Sequence, residues 1–146
     1  MRLVVDASVL IAEALRERGR TLLRNPSLDL VAAAEAVSET EHELRKRVEL
    51  IAERGDLGAE SAARLLDAAL VMIALRIPLA EPEIYAARLD EARTRVPRDE
   101  RDAPTVALAM ALDCGIWTAD QDFFGCGVAV WTTETLLLHL ATGGDV

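Results

Sequence analysis

The chain has 146 residues, of which 51% are hydrophobic, and this is enough apolar material for one ordinary globular core. Its formal net charge of −9 opposes the unspecific attraction to phosphate that a generally basic nucleic-acid coat requires. No apolar run reaches the ~20 residues of a membrane helix, and no secretory signal is recognisable. We therefore expect a single domain, residues 1–146, with a cytoplasmic location and no membrane partner.

Short β-rich runs alternate with alanine- and leucine-rich segments whose apolar residues recur at three- and four-residue spacing. In chain order, the sequence predicts a strand at residues 3–5, a helix from about Ala7, a strand at 28–31, helices at 32–54, 59–76, 81–94 and 103–113, strands at 115–118 and 127–131, and a C-terminal amphipathic helix. Pro82 and Pro104 lie where the first turn of a helix tolerates a missing N–H group. The alternation predicts an α/β sandwich with a small, mostly parallel sheet, because parallel strands need helical crossovers.

Carboxylates come shortly after two of the predicted strands. Asp6 ends the run "VVD", and Asp120 and Asp122 follow "GIWT" in "TADQDF". Each has an ordinary structural explanation: Asp6 as a helix N-cap contributing about 1 kcal/mol, and the other two as turn formers. In a parallel sheet, however, ligands gather beyond the carboxyl ends of the strands, and both strands deliver their ends to that edge.

A third acidic group opens the helix that follows "RDERDAP". Asp99 and Asp102 lie here, and Asp102 is also a plausible N-cap, with Pro104 shortly inside the helix. Carboxylates converging from three segments would repel one another unless a cation neutralised them. Sites built from carboxylate oxygens suit Mg²⁺ or Mn²⁺. These ions can lower the pKa of a bound water and polarise a phosphodiester, which are the tasks of a nuclease.

The acidic run "SETEHELRKR" lies inside the predicted helix 32–54. Glu39 and Glu43 are four residues apart and share a helix face, although Glu43 with Arg47 is also an ordinary surface pair. The basic residues are almost all arginines and occur in clusters, which leaves a polyanionic partner open beside the alternative of solvated helix faces. The candidates nearest the acidic segments are Arg45, Arg47, Arg98 and Arg101.

Three segments together resemble the PIN domain, the ribonuclease fold shared by VapC-type toxins and related nucleases. They are "VVDASVL", "SETEHELRKR" and the C-terminal stretch from Asp99 to Leu137 that contains "DAPTVALAMALDCGIWTADQDF". The resemblance implies a PIN-like three-layer sandwich and a Mg²⁺- or Mn²⁺-dependent endoribonuclease of the toxin type. It also implies a substrate of single-stranded or structured RNA.

Carried over position by position, the resemblance implies four catalytic acidic residues: Asp6, Glu39, Asp102 and Asp120. The implied metal ligands are Asp6, Asp102, Asp120 and Asp122. Glu43 stays open as an alternative to Glu39, and Asp99 as an alternative to Asp102. Ser8 and Thr118 match small polar positions near the first and last aspartates.

The resemblance also implies partners. Toxins of this class pair with a small antitoxin, and the apolar faces of helices 32–54 and 59–76 are candidates for a homodimer contact. The alternative function is a catalytically silent PIN-like module that binds RNA or protein. With 3% aromatic residues, base stacking is not expected to be a main source of RNA affinity.

Overall fold

The structure is a computed structural model that describes residues 1–143. Its centre is a five-stranded sheet in the order β3-β2-β1-β4-β5, and every pairing is parallel. The strands are β1 Arg2–Val5, β2 Asp29–Ala33, β3 Leu79–Ala80, β4 Gly115–Trp117 and β5 Val130–Trp131. The predicted α/β sandwich is confirmed.

Helices cover both faces of the sheet. They are α1 Ala7–Ala14, α2 Glu17–Leu23, α3 Ala34–Glu53, α4 Ala59–Arg76, α5 Pro82–Tyr85, α6 Leu89–Arg95, α7 Ala103–Leu112 and α8 Thr133–Ala141. None of the helices in residues 1–143 is both long and apolar enough to span a bilayer.

The observed elements differ from the predicted ones in two boundaries, two missed elements and one helix. Helix 32–54 begins later, at Ala34, because Ala32 and Ala33 continue β2 and pair with β3. The strand predicted at 127–131 shortens to Val130–Trp131, since Gly127 adopts a φ of 83° in the preceding turn. Both α2 and β3 were missed, because seven and two residues are too short to show a clear period.

The single helix predicted at 81–94 is wrong. The chain instead forms α5, a 3₁₀ turn at Ala86–Arg88, and α6. The break falls at Tyr85, whose backbone leaves the α-helical region at φ −121° and ψ 1°. The Tyr85 side chain is fully buried and its hydroxyl donates to Glu35, so tertiary burial overrides local helix propensity here.

The core has one half on each side of the sheet. Leu3 and Val5 of β1 pack toward α1–α4 and α8, whereas Val4 packs toward α5–α7. This alternation follows from the two-residue period of a strand. Both faces of the sheet are therefore covered, and Asp6 and Thr118 follow directly on the carboxyl ends of β1 and β4.

Candidate metal centre

Strand register brings Asp6 and Thr118 together. Val5 pairs with Trp117, and the Asp6 N–H donates to the Trp117 carbonyl at 3.0 Å. Thr118 Oγ1 then donates to Asp6 Oδ2 at 2.9 Å. The Asp6 side chain is buried, with a relative exposure of 7% for the residue, so its carboxylate is oriented by these neighbours rather than by water.

Asp6 also caps α1, as expected from the sequence. The Ser8 N–H donates to Asp6 Oδ2 at 3.3 Å, and Ser8 Oγ donates to the same oxygen at 2.6 Å. Ser8 Oγ in turn accepts the Ala119 N–H at 3.1 Å, which ties the start of α1 to the loop after β4. All these donors reach Oδ2 and none uses Oδ1, so capping is compatible with a second role for the carboxylate.

The Ser8 contacts predict a measurable effect of Ser8→Ala. Asp6 loses its shortest donor and the Ala119 N–H loses its acceptor, so we expect a cost of about 1 kcal/mol and a melting temperature lower by roughly 2–4 °C. If Asp6 is a metal ligand, the affinity for Mn²⁺ should fall about tenfold, as for other groups that orient ligands. Calorimetry and a Mn²⁺ titration compare Ser8→Ala with the control Ser61→Ala on α4, which should match the native protein. A Ser8→Ala variant with the native melting temperature and the native Mn²⁺ affinity would contradict this expectation.

Asp120 begins the 3₁₀ turn at Gln121–Phe123. Its Oδ1 accepts the Asp122 N–H at 2.9 Å, and its own N–H donates to Thr118 Oγ1 at 3.0 Å. The turn-forming explanation of this aspartate therefore holds. The same turn places Asp120 and Asp122 close to Asp102, which precedes α7.

Asp102 occupies the N-cap position of α7, but its side chain accepts no cap hydrogen bond. Pro104 is the physical reason in part, because it lies at the second helical position and has no N–H to donate. Asp102 Oδ2 is buried without a hydrogen-bond partner among the described residues. The capping explanation of this side chain is therefore wrong, and a buried carboxylate oxygen is left in need of a partner.

Three carboxylates converge at this point. One oxygen each of Asp102, Asp120 and Asp122 lies within 4.8 Å of the others. Burial, and then the negative charges led by those of Asp6 and Asp120, raise the pKa of Asp102 to about 7. The group of mutually close carboxylates does not include Asp6, although Asp6 lies near enough for its charge to act on Asp102.

Glu39 of α3 lies close enough to Asp6 and Asp99, which come from other segments, for their charges to act on it. Burial raises its pKa, and the charges of Asp6 and Asp99 add to that rise, whereas Arg101 opposes it. Glu43 instead forms an ion pair with Lys46 at 3.7 Å, and not with Arg47 as the sequence suggested. The position of Glu39 supports Glu39 over Glu43 as the site residue of this helix. Its role in the site remains a prediction.

A model of the PIN domain family matches residues 4–141 of the sequence. The chain belongs to the PIN domain family. The match spans the converging aspartates and the acidic helix, so the resemblance proposed from three segments extends over nearly the whole chain. No curated protein sequence matches the chain significantly.

Two solved structures share the architecture of this PIN domain. PAE2754 from Pyrobaculum aerophilum is 22% identical, with a TM-score of 0.68, over 97% of this chain and 90% of that one. FitAcB from Neisseria gonorrhoeae is 27% identical, with a TM-score of 0.55, over 90% of this chain and 96% of that one. At this level of identity the first likeness shows the fold alone.

The remaining residues predicted for the site are either paired with one another or with the aspartates, or exposed on α3. Asp99 accepts three hydrogen bonds from the guanidinium and one from the backbone of Arg101, and these bonds lower the pKa of Asp99. Arg98 forms an ion pair with Asp122 at 2.8 Å. Arg45 and Arg47 are exposed on α3, and a role for them stays a prediction.

Glu35 and Tyr85 were not predicted as site residues from the sequence. Glu35 lines a cleft of about 340 Å³ together with Glu39, Glu100, Arg101 and Pro104. The buried Tyr85 hydroxyl donates to Glu35, and burial followed by this hydrogen bond raises the pKa of Tyr85. The four-residue spacing of Glu35 and Glu39 was a visible signal for a shared helix face, whereas Tyr85 lies 50 residues away in sequence.

Proposed function

We propose that this PIN domain is a Mg²⁺- or Mn²⁺-dependent endoribonuclease of the toxin type. PIN domains are in general nucleases, and this supports hydrolysis of a nucleic acid. The observation that carries the metal requirement is the buried Asp102 Oδ2, which lacks a hydrogen-bond partner among the described residues beside Asp120 and Asp122. A divalent cation would satisfy that oxygen and relieve the repulsion among these carboxylates.

The residues present fit such an ion. The donor set is made of carboxylate oxygens, which Mg²⁺ and Mn²⁺ prefer, and we assign Asp6, Asp102, Asp120 and Asp122 to hold it. When bound, the ion would lower the pKa of a water molecule and polarise the phosphodiester. Ser8 and Thr118 orient Asp6 through its Oδ2.

Glu39 is proposed to act on a proton. Glu39 lines a cleft with Arg101 and Pro104, the residues on either side of Ala103 and Asp102 in the chain, and burial raises its pKa, as suits a general base. We assign it to accept the proton of the attacking water. This assignment gives Glu39 a role that Glu43, paired with Lys46, does not share.

RNA is the proposed substrate, and arginines supply the contacts to its phosphates. Arg98 and Arg101 are exposed at the edge of the aspartate cluster, and Arg45 and Arg47 are exposed on α3. Because the net charge of −9 repels RNA as a whole, these local contacts must supply the attraction. Binding should therefore weaken as salt concentration rises.

Cleavage of an RNA pool tests the proposal. Purified protein is incubated with end-labelled single-stranded and hairpin RNAs in Mn²⁺, in Mg²⁺ and in EDTA, and the products are resolved on a denaturing gel. We expect internal cleavage in either metal and none in EDTA. Metal binding without cleavage of any RNA would instead support the silent RNA- or protein-binding module.

A protein partner is proposed for the exposed apolar surface of α4. α3 and α4 pack against each other and turn Leu44, Val48 and Met72 into the core, which leaves Val71 and Leu75 exposed at 55% and 84%. A small antitoxin or a second copy of this chain would cover them. Light scattering distinguishes the two cases: a mass of twice 15.8 kDa for the isolated chain identifies a homodimer.

A further inference from the structure

Asp99 holds Arg101 more firmly than an ordinary surface pair. Arg101 Nε donates to both carboxylate oxygens at 3.2 Å, and Nη2 donates to Oδ2 at 2.9 Å. The backbone N–H of Arg101 adds a fourth bond to Asp99 Oδ1 at 3.0 Å. Two-point contact with a carboxylate restricts a guanidinium in orientation as well as position.

The held guanidinium lies at the rim of the acidic centre. Arg101 lines the 340 Å³ cleft together with Glu39 and Pro104. The charge of Arg101 acts on Glu39, which lines the same cleft, and on its chain neighbour Asp102. The side chain is 75% exposed, and none of the contacts made by the described residues uses Nη1. A cation is therefore presented to solvent next to the carboxylates.

Arg98 differs in one respect that matters. Its partner is Asp122, which is one of the three converging carboxylates. A bound metal ion and Arg98 would therefore compete for the carboxylate oxygens of Asp122. Asp99 does not belong to that group. The restraint on Arg101 would therefore persist when the acidic centre binds an ion.

We propose that Arg101 contacts a backbone phosphate of RNA that binds beside the acidic centre formed by Asp102, Asp120 and Asp122, and that Asp99 is the positioning residue that aims it. The Nε and Nη2 side of the guanidinium is bound to Asp99, and Nη1 is left for a phosphate oxygen. The inference rests on the proposed ribonuclease function for the identity of its ligand. It gives Asp99, an alternative metal ligand by sequence, a different task.

Asp99→Asn separates positioning from bulk electrostatics by the sign of its effect. Removing a carboxylate from a protein of net charge −9 should strengthen RNA binding if charge alone matters. If Asp99 positions Arg101, RNA binding should weaken instead, because the arginine keeps its charge but loses its fixed orientation. Asp90→Asn is the matched control, since Asp90 also pairs with an arginine, Arg93, at 2.9 Å.

The experiment measures binding of a fluorescein-labelled single-stranded RNA of mixed sequence by anisotropy, in EDTA and over a series of salt concentrations. For Arg101→Gln we expect roughly fivefold weaker binding and a salt slope smaller by about 0.7, the loss of one phosphate contact on a single strand. For Asp99→Asn we expect several-fold weaker binding with the slope unchanged. Asp90→Asn should bind as tightly as the native protein or slightly more tightly.

Two results would overturn the inference. Equal or tighter binding by Asp99→Asn removes the positioning role, and an unchanged salt slope in Arg101→Gln removes the phosphate contact. Binding is measured without metal, so the outcome is separate from catalysis. A protein that cleaves no RNA but shows the expected pattern would retain this inference and lose the proposed function.

Discussion

Asp120→Asn is expected to lose at least about a hundredfold in kcat/KM for Mn²⁺-dependent RNA cleavage. Even residues that only orient a ligand cost ten- to a hundredfold when changed, so a ligand should cost no less. Asparagine keeps the size of the side chain and can still accept the Asp122 N–H that forms the turn. The loss should therefore reflect the missing charge rather than a misfolded loop.

Asp6→Asn should lose cleavage activity for the same reason, since its amide oxygen can still accept from Ser8 and Thr118. Cleavage rates are compared with those of Asp67→Asn, which removes an exposed carboxylate from α4 and should cleave at the native rate. Native rates in both Asp6→Asn and Asp120→Asn would contradict the assignment of the acidic centre. A native rate in Asp120→Asn alone would move the catalytic role to Asp122.

Asp102→Asn should stabilise the metal-free protein above neutral pH while it abolishes cleavage. The pKa of Asp102 is raised from 3.8 to about 7, so the folded state holds a proton that the unfolded chain releases. Stability from this group is complete below pH 3.8 and is lost as the pH rises to about 7. At pH 8 the native protein therefore carries the full cost of an ionised, buried carboxylate, which asparagine lacks.

Thermal melts in EDTA at pH 8 and at pH 5 test this expectation. At pH 8 the variant should melt higher by roughly 3 °C or more, which corresponds to about 1 kcal/mol at this chain length, and the difference should shrink at pH 5. Saturating Mn²⁺ should raise the melting temperature of the native protein, as binding to the folded state alone requires, and should raise that of the variant much less. A variant that melts below the native protein at pH 8 would show that the ionised Asp102 carboxylate does not destabilise the folded state.

Two of the aspartates combine a structural and a proposed chemical role. Asp6 caps α1 and Asp120 forms the turn after β4, and in each the bonded oxygen leaves the other oxygen out of the turn. The structural explanation of these residues is therefore correct without excluding the functional one. Asp102 is different, because it stands at the start of α7 and its side chain does not cap the helix. Capping therefore does not explain the position of its carboxylate.

Much of the fold could be predicted from the sequence. β1 and β4 are short, mainly apolar runs, each followed directly by a polar residue, and α4 is bounded as its periodicity predicts. The meeting of Asp6 with the residues after β4 follows from parallel pairing alone, because parallel strands end at the same edge. These features depend on local pattern and on one general rule of topology.

The rest depends on contacts between distant segments. β3 is two residues long and exists as a strand because β2 pairs with it. The break at Tyr85 follows from burial of that side chain and its bond to Glu35 across 50 positions. Neither leaves a periodic trace in the sequence.

The orphaned oxygen of Asp102 was likewise beyond local inference. Pro104 indicated a helix start, which is where an aspartate normally caps. Whether the side chain caps or turns inward depends on the burial supplied by the segments around it, and this appears only in the assembled structure. The sequence could name Asp102 as a candidate but could not separate its two explanations.

The most direct test of a metal-dependent acidic centre is a Mn²⁺ titration in which bound ion, measured by EPR, and RNA cleavage rate are recorded on the same protein. We expect Mn²⁺ binding and cleavage rate to rise together with one half-saturating concentration, and Asp120→Asn to lose both. Cleavage that proceeds equally in EDTA, or full Mn²⁺ occupancy with no cleavage of any RNA, would contradict it.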